Sequence, residues 1–280
     1  MTVTIDAAVA TAWIERWDAQ QELYMPDREE RFTALIDAVA EGAGRPDPVV
    51  IDLGCGPGSL SVRLLDRLPT AKIVAVDADP LLLGLGRVAW SGRAGGSGRA
   101  GGAGGSGGAG FRESALRFVE LDLREPGWSK ALGLDQPVDA AVSTTALHWL
   151  PPERLTAMYA ELATIVRPGG LVLNGDHLTE DETTAPVLTR LGRALIERED
   201  ERRRSGELAE DWPTWWAAAT ADPLLAELVA ERASRVIESD HHGSPSGRLS
   251  THVDALRAAG FAEVGTLWQR GDNRLLCAVR

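Results

Sequence analysis

The sequence predicts an α/β fold: a doubly wound, mostly parallel seven-stranded sheet with an antiparallel last strand and a helical insertion. Three observations predict it. From Pro48 onward short β-branched runs alternate with amphipathic stretches, the crossover pattern that parallel strands require. The first run ends in a glycine-rich turn, Asp52-Leu53-Gly54-Cys55-Gly56-Pro57-Gly58. The last two runs are separated only by Arg270-Gly271-Asp272-Asn273, a turn too short to join anything but antiparallel strands.

Residues 1–47 read as an N-terminal helical cap, and 48–176 as the core of the sheet. Val49-Val50-Ile51-Asp52-Leu53 is a buried strand feeding the glycine turn, and Leu60, Leu64, Leu65 and Leu68 mark a helix over Ser59 to Leu68. Lys72 to Asp77 is the second strand, and Pro80, tolerated in a first helical turn, opens a helix to Trp90. Ser91 to Gly110 holds eleven glycines and no large apolar residue, so it reads as a flexible surface loop. Leu116 to Leu121, Val138 to Ser143 and Leu171 to Asn174 are further strands. A helix from Pro152 to Val166 is expected to stop at the turn Arg167-Pro168-Gly169-Gly170.

Residues 177–247 form the insertion, a lid over the sheet's C-terminal edge, with helices from Thr184 to Arg204 and Pro223 to Arg235. Between them lies the tryptophan-rich stretch Trp212-Pro213-Thr214-Trp215-Trp216. Residues 248–280 supply a helix, Leu249 to Ala259, and the strands Glu263 to Gln269 and Arg274 to Arg280.

Composition excludes several classes. Of 280 residues, 44% are hydrophobic and 25% charged, which fits a globular protein rather than a disordered or fibrous one. A net charge of -12 argues against nucleic acid as a partner. No stretch approaches the length of apolar sequence that spans a bilayer, and Met1 to Ala12 lacks the pattern of a secretory leader. Two cysteines, Cys55 and Cys277, cannot build a disulfide framework, so the expected location is cytoplasmic. A small-molecule substrate is the expected partner, no membrane is expected, and a homodimer is left open.

An acid two positions before the first glycine, with glycines spaced Gly-x-Gly-x-Gly, separates this turn from the dinucleotide pattern. A carboxylate there repels a pyrophosphate and suits a cationic ligand. S-adenosylmethionine carries an ammonium and a sulfonium that Asp52 can attract while backbone amides hold its carboxylate. Asp77, ending the second strand, is placed to accept from both ribose hydroxyls. Asp122, just after the third, can accept from the adenine amino group.

Val-Ile-Asp-Leu-Gly-Cys-Gly-Pro-Gly at 50–58, Val-Ala-Val-Asp at 74–77, Glu-Leu-Asp-Leu at 120–123 and Arg-Pro-Gly-Gly at 167–170 together resemble the ordered motifs of class I S-adenosylmethionine-dependent methyltransferases, in the small-molecule, methyltransferase type 11/12-like branch. The resemblance implies a Rossmann-like fold and S-adenosyl-L-methionine as cofactor. It further implies that Asp52, Gly54, Gly56 and Gly58 hold the methionine part, Asp77 and Ala78 the ribose, and Asp122 and Leu123 the adenine. Thr144 would line the methyl-transfer site. Trp17, Tyr24 and Arg28 lie on a stretch that folds over the donor in this superfamily. Tyr24 would cap the cofactor and Arg28 pair with its carboxylate, although an amphipathic helix explains the same residues. The Gly-rich insert and Asp79-Pro80 after the ribose acid depart from the family pattern.

The ligand crevice of such a sheet lies beyond the carboxyl ends of its strands. Thr144, Thr145, His148 and Trp149 follow the fourth strand, and Asp176 and His177 the fifth. His148-Trp149 resembles the aromatic pair of small-molecule members, the trans-aconitate and ubiquinone-type branches among them. His148 or His177 is the expected catalytic base, because an oxygen or nitrogen nucleophile often needs deprotonation. Trp149, Asp176, Trp212 and Trp216 are the expected substrate contacts, with packing between helices as the alternative for the tryptophans. The separations of His148, Asp176, His177, His241 and His242 match no compact metal motif, so no metal is expected. The expected function is methyl transfer to a small-molecule oxygen, nitrogen or carbon. A non-catalytic cofactor sensor or scaffold and a nicotinamide-dependent oxidoreductase are the alternatives.

Overall fold

A computed structural model describes residues 5–25, 27–91, 115–203, 210–235 and 245–280. The glycine-rich segment from Gly92 to Gly110, Arg204, His241 and His242 lie outside them. The strands are β1 (Val49–Leu53), β2 (Lys72–Asp77), β3 (Leu116–Glu120), β4 (Val138–Thr144), β5 (Val166–His177), β6 (Glu263–Arg270) and β7 (Asn273–Val279). They form one sheet in the order β3-β2-β1-β4-β5-β7-β6. The first five run parallel, and β7 runs against both β5 and β6, which is the expected doubly wound fold. The chain winds outward from β1 to β3 and then returns to β4, so the order reverses between β1 and β4. Such a switch point opens a crevice at the carboxyl ends of the strands.

Successive residues of each strand serve opposite faces, and both faces are covered. Val50, Ile73, Ala75, Val142 and Leu173 pack with Phe32, Leu35 and Val39 of α2 (Arg28–Ala43) and with Leu60 and Leu64 of α3 (Ser59–Arg67). Ile51, Val74, Val76, Ala141 and Val172 pack the other way, against Leu155, Tyr159 and Leu162 of α6 (Pro152–Ile165) and Leu256 of α10 (Leu249–Ala258). Burial on both sides explains why the strands read as continuous apolar runs. The short α5 (Trp128–Ala131), which the sequence reading missed, inserts Trp128 into this second layer.

A third cluster joins distant segments. Ala10, Trp13 and Ile14 of α1 (Ala7–Tyr24) meet Leu81, Leu82 and Leu85 of α4 (Pro80–Ala89), and Trp215 and Ala219 of α8 (Trp212–Ala221) close the cluster. Leu228 of α9 (Ala226–Ala233) rests on Gly84 of α4, where a Cβ would lie 2.5 Å from it. The excursion that carries α7 (Pro186–Arg203), α8 and α9 departs and returns at one point, since Thr179 bridges Arg248 and its amide donates to Gly247 O at 2.8 Å.

Three boundaries differ from expectation. Arg167-Pro168-Gly169-Gly170 does not separate a helix from a later strand; it lies within β5, where Gly169 at φ 73 absorbs the irregular register and its amide donates to Arg280 O at 2.7 Å. The tryptophan-rich stretch is itself a helix, capped by the Asp211 carboxylate on Thr214 N. Pro223 to Arg235 divides into a 3-10 turn, Pro223–Leu225, and α9. Among the described residues, no helix is long and apolar enough to cross a membrane.

Candidate functional site

The glycine loop sits at the switch point and is closely packed on two sides. Gly54 (φ 66) lies against Ala146, whose Cβ would be 2.3 Å from an added Cβ, and Gly58 (φ 88) lies against the Phe118 ring at 2.8 Å. Only glycine fits such positions, because both the φ and the space forbid a side chain. Gly56 (φ 54) is different: a Cβ there would meet Trp17 and Leu82 at ordinary contact distance, 3.8 Å or more, so the positive φ rather than crowding calls for glycine.

Asp52 ends beneath the loop, fully buried. Its Oδ2 accepts from Ser61 Oγ at 2.6 Å, while Oδ1 is buried without a hydrogen-bond partner. Burial raises its pKa to about 7, against the pull of the Ser61 hydroxyl. A carboxylate with one empty, desolvated oxygen fits a cationic group. Asp77, at the end of β2, accepts from Gly56 N at 2.7 Å and from Asp79 N at 2.8 Å, and burial raises its pKa to about 6. It therefore braces the loop from the end of β2, next to Ala78.

One expectation for the loop is corrected. The amides of Gly54 and Cys55 both donate to Val76 O, that of Gly56 to Asp77 and that of Gly58 to Cys55 O. They serve the turn itself and do not stand ready for a ligand carboxylate, and equally they offer nothing to a pyrophosphate. Asp122, expected as a free adenine acceptor beside Leu123, is gripped by Arg124, whose Nη2 lies 2.7 Å from Oδ2 and whose Nε lies 2.9 Å from Oδ1. That contact holds the Asp122 pKa below the ordinary value despite its burial.

Beyond the carboxyl ends of β4 and β5, whose parallel register sets Thr144 beside Gly175, lie the next residues of the crevice. Thr145, at φ 52, is the one non-glycine residue in left-handed conformation among those described, and its amide donates to Gly175 O at 2.9 Å. Strain of this kind concentrates at functional sites. Just beyond, in the 3-10 turn Leu147–Trp149, His148 Nδ1 lies 2.9 Å from both oxygens of the buried Asp176. Burial disfavours the imidazolium, but the touching Asp176 carboxylate outweighs it and raises the His148 pKa. The same contact, helped by Arg31, holds Asp176 ionised although burial opposes it. Asp176 is thus the partner that orients His148 rather than a free substrate contact. Trp149 stands half-exposed beside the pair, 5.1 Å from the His148 ring.

His177 is not placed to act as a base. Its Nδ1 lies 2.8 Å from Asp272 Oδ1 and its Nε2 lies 3.2 Å from Tyr24 O, so both ring nitrogens face acceptors. Burial lowers its pKa, but Asp272 reverses that and raises it, which favours the imidazolium. His177 pins the end of α1 to the β6–β7 turn.

The cap residues also take roles the sequence did not reveal. Arg28 is buried, with Nη2 donating to Asp18 at 3.0 Å and the guanidinium over the Phe32 ring, while Nη1 is buried without a hydrogen-bond partner. Arg31, one turn later and overlooked, is fully buried: Nη1 donates to Asn273 Oδ1 at 2.7 Å and Nη2 to Thr144 Oγ1 at 2.6 Å. Burial lowers its pKa to about 10, while the Asp176 charge acts to raise it. A signal did exist, since Arg28 and Arg31 occupy the buried stripe of α2 with Phe32, Leu35 and Val39. Tyr24 is exposed, and its hydroxyl accepts from Trp212 N at 3.2 Å. Trp212 and Trp216 belong to an edge-to-face cluster with Trp17 and Trp215, so they join helices instead of facing His148. Among the described residues, no group of three His, Cys, Asp or Glu side chains converges as metal ligands would.

No protein-family model matches the chain. It is 29% identical to a trans-aconitate 2-methyltransferase of Azoarcus sp. over 186 residues, which cover 64% of this chain and 60% of that protein. It is 33% identical to a protein of the same name from Streptomyces avermitilis, covering 57% of this chain and 50% of that one. The chain therefore spans less than two thirds of the relatives it matches. Among solved structures, it is similar to magnesium protoporphyrin IX methyltransferase from Synechocystis with bound S-adenosylhomocysteine, at a TM-score of 0.52 and 17% identity, over 95% of this chain and 94% of that one. An O-methyltransferase family protein from Burkholderia thailandensis gives a TM-score of 0.51 at 18% identity, over 88% and 55% of the two chains. At such identities the structural likeness concerns the fold.

Proposed function

We propose that this chain is a class I S-adenosylmethionine-dependent methyltransferase, which transfers the methyl group of S-adenosylmethionine to an oxygen, nitrogen or carbon nucleophile of a small molecule. The observation that carries this reading is Asp52, whose unpartnered, buried Oδ1 lies in the loop at the switch point. When bound, the donor supplies an electrophilic methyl group on a sulfonium sulfur. Asp52 attracts the donor's positive charge, Asp77 accepts from the ribose while bracing Gly56, and the β4–β5 edge positions the acceptor. His148, oriented through Nδ1 by Asp176, takes the acceptor's proton at Nε2. Because transfer is an in-line displacement, positioning supplies much of the acceleration.

The test is calorimetry with S-adenosylmethionine and S-adenosylhomocysteine, followed by turnover against a metabolite extract. Tight binding with no methylated product would favour a sensor or scaffold. Binding of NADH in place of the methyl donor would sink the reading. The names of the relatives make trans-aconitate one acceptor to assay, beside hydroxyl and amine acceptors. The proposed compartment is the cytoplasm, in keeping with Cys55 and Cys277 being both buried and unpaired.

Asp77→Ala should weaken donor binding by about 1 to 3 kcal/mol, the scale of hydrogen bonds to a charged acceptor. An unchanged affinity would remove Asp77 from the site. Donor affinity should also depend on pH. Asp52, with its pKa raised to about 7, is largely protonated in acid, and a cationic ligand binds its ionised form. Binding therefore releases a proton, so affinity rises as pH increases through about 7 and levels off above about pH 8. Asp52→Asn should flatten that profile, and a wild-type affinity independent of pH would refute the assignment.

A further inference from the structure

Two tethers at the carboxyl ends of β2 and β3 involve residues that the proposed chemistry does not use. Arg232, near the end of α9, donates from Nε to Asp79 Oδ2 at 2.6 Å. The other oxygen of Asp79 caps α4 through Leu81 N at 3.0 Å, so the buried carboxylate is fixed in place. The guanidinium of Arg232 also lies 4.1 Å from the ring centroid of Trp216, in the tryptophan cluster that contains Trp17. Arg235, just past α9, pairs with Glu120 at 2.6 Å. Glu120 ends β3 and is the register partner of Asp77.

Two arginines from one helical end thus reach across the strand termini that carry Asp77 and lead to Asp122. The helix that bears them is lightly held, for α9 contains no fully buried residue. Its apolar attachment runs through the partly buried Leu228 and Val229. An element with little buried apolar surface and a partly exposed ion pair belongs to the low-stability end of a fold, where small free energies move it. Asp79 and Glu120 are anchored on the sheet side, whereas the arginines ride on α9 and the turn after it.

We propose that α9 is a gate over the adenosine half of the donor site, held shut by Arg232 on Asp79 and Arg235 on Glu120, and released for donor entry and product exit. The proposal rests on the methyl-donor reading of the site. A gate lowers entry and exit alike, whereas a residue that touches the ligand changes exit and affinity together. The two roles are therefore separable by rates.

The experiment is stopped-flow tryptophan fluorescence of the full chain with S-adenosylhomocysteine, since Trp216 and Trp17 flank the gate and the loop. Arg235→Gln and Glu120→Gln should each raise the association and dissociation rates about two- to fivefold, with the dissociation constant within about twofold of wild type. Higher salt should speed exchange in wild type more than in Arg235→Gln, because the pair is partly exposed. The reversed pair, Arg235→Glu with Glu120→Arg, should restore slow exchange, and circular dichroism checks that each variant is folded. Unchanged rates in both single variants, or a faster dissociation at constant association, would overturn the gate while leaving the donor site standing. If wild type binds neither donor nor product, the donor reading fails and the gate fails with it.

Discussion

His148→Ala is expected to cut turnover by about a hundred- to ten-thousand-fold, the range for a positioned general base, while leaving donor affinity within about twofold. The reason is geometric: His148 touches Asp176 at 2.9 Å and is carried by the turn after β4, whereas Asp52 lies in β1 and Asp77 ends β2. The pH profile supplies the second readout. Activity should rise with pH through a value above the usual histidine range, because Asp176 raises the His148 pKa. Asp176→Asn removes that charge, so the limb should move to lower pH and turnover should fall. A carboxylate acceptor, already ionised, gains little from a base. Full activity of His148→Ala toward trans-aconitate, with loss only toward hydroxyl or amine acceptors, would confine the base role to the latter. Full activity toward every acceptor would sink it.

Trp215→Ala should destabilise the protein by about 3 to 5 kcal/mol, as for other fully buried aromatic side chains. Trp215 is completely buried and packs edge-to-face against Trp13 at 5.5 Å, Trp17 at 5.0 Å and Trp216 at 5.0 Å. Its indole N–H also donates to Trp13 O at 3.3 Å, a second bond to that helical carbonyl which truncation removes. Natural domains hold only about 5 to 15 kcal/mol in total, so the loss is a large share. Urea unfolding measures it, and amide exchange along α1 should show that helix losing protection first. A change below about 1 kcal/mol would mean that α1 and α8 are held by something other than this cluster.

The sheet was legible because each parallel strand is buried on both faces and so forms an apolar run bounded by turns, as Val49–Leu53 and Lys72–Asp77 do. The hairpin at Gly271 was legible from its length alone. The insertion was harder to read. Asp211 followed by Trp212-Pro213 is a helix start, with an acid cap and a first-turn proline, but the density of tryptophan drew attention from that signal. Arg31 was overlooked because a cation is seldom assigned to a buried stripe, even when it occupies a position in its spacing.

By itself the sequence determined the fold and the glycine loop, since both depend on local patterns: an acid, three glycines and the β-branched runs around them. Only the tertiary structure decided which side chains meet beyond β4 and β5. His148 and Asp176 are 28 residues apart and meet because β4 and β5 run parallel in register. His177 differs from His148 only through Asp272 and Tyr24, which arrive from the β6–β7 turn and the end of α1. Whether a histidine can take up a proton is set by what its two nitrogens face, and those neighbours come from segments that no local pattern relates.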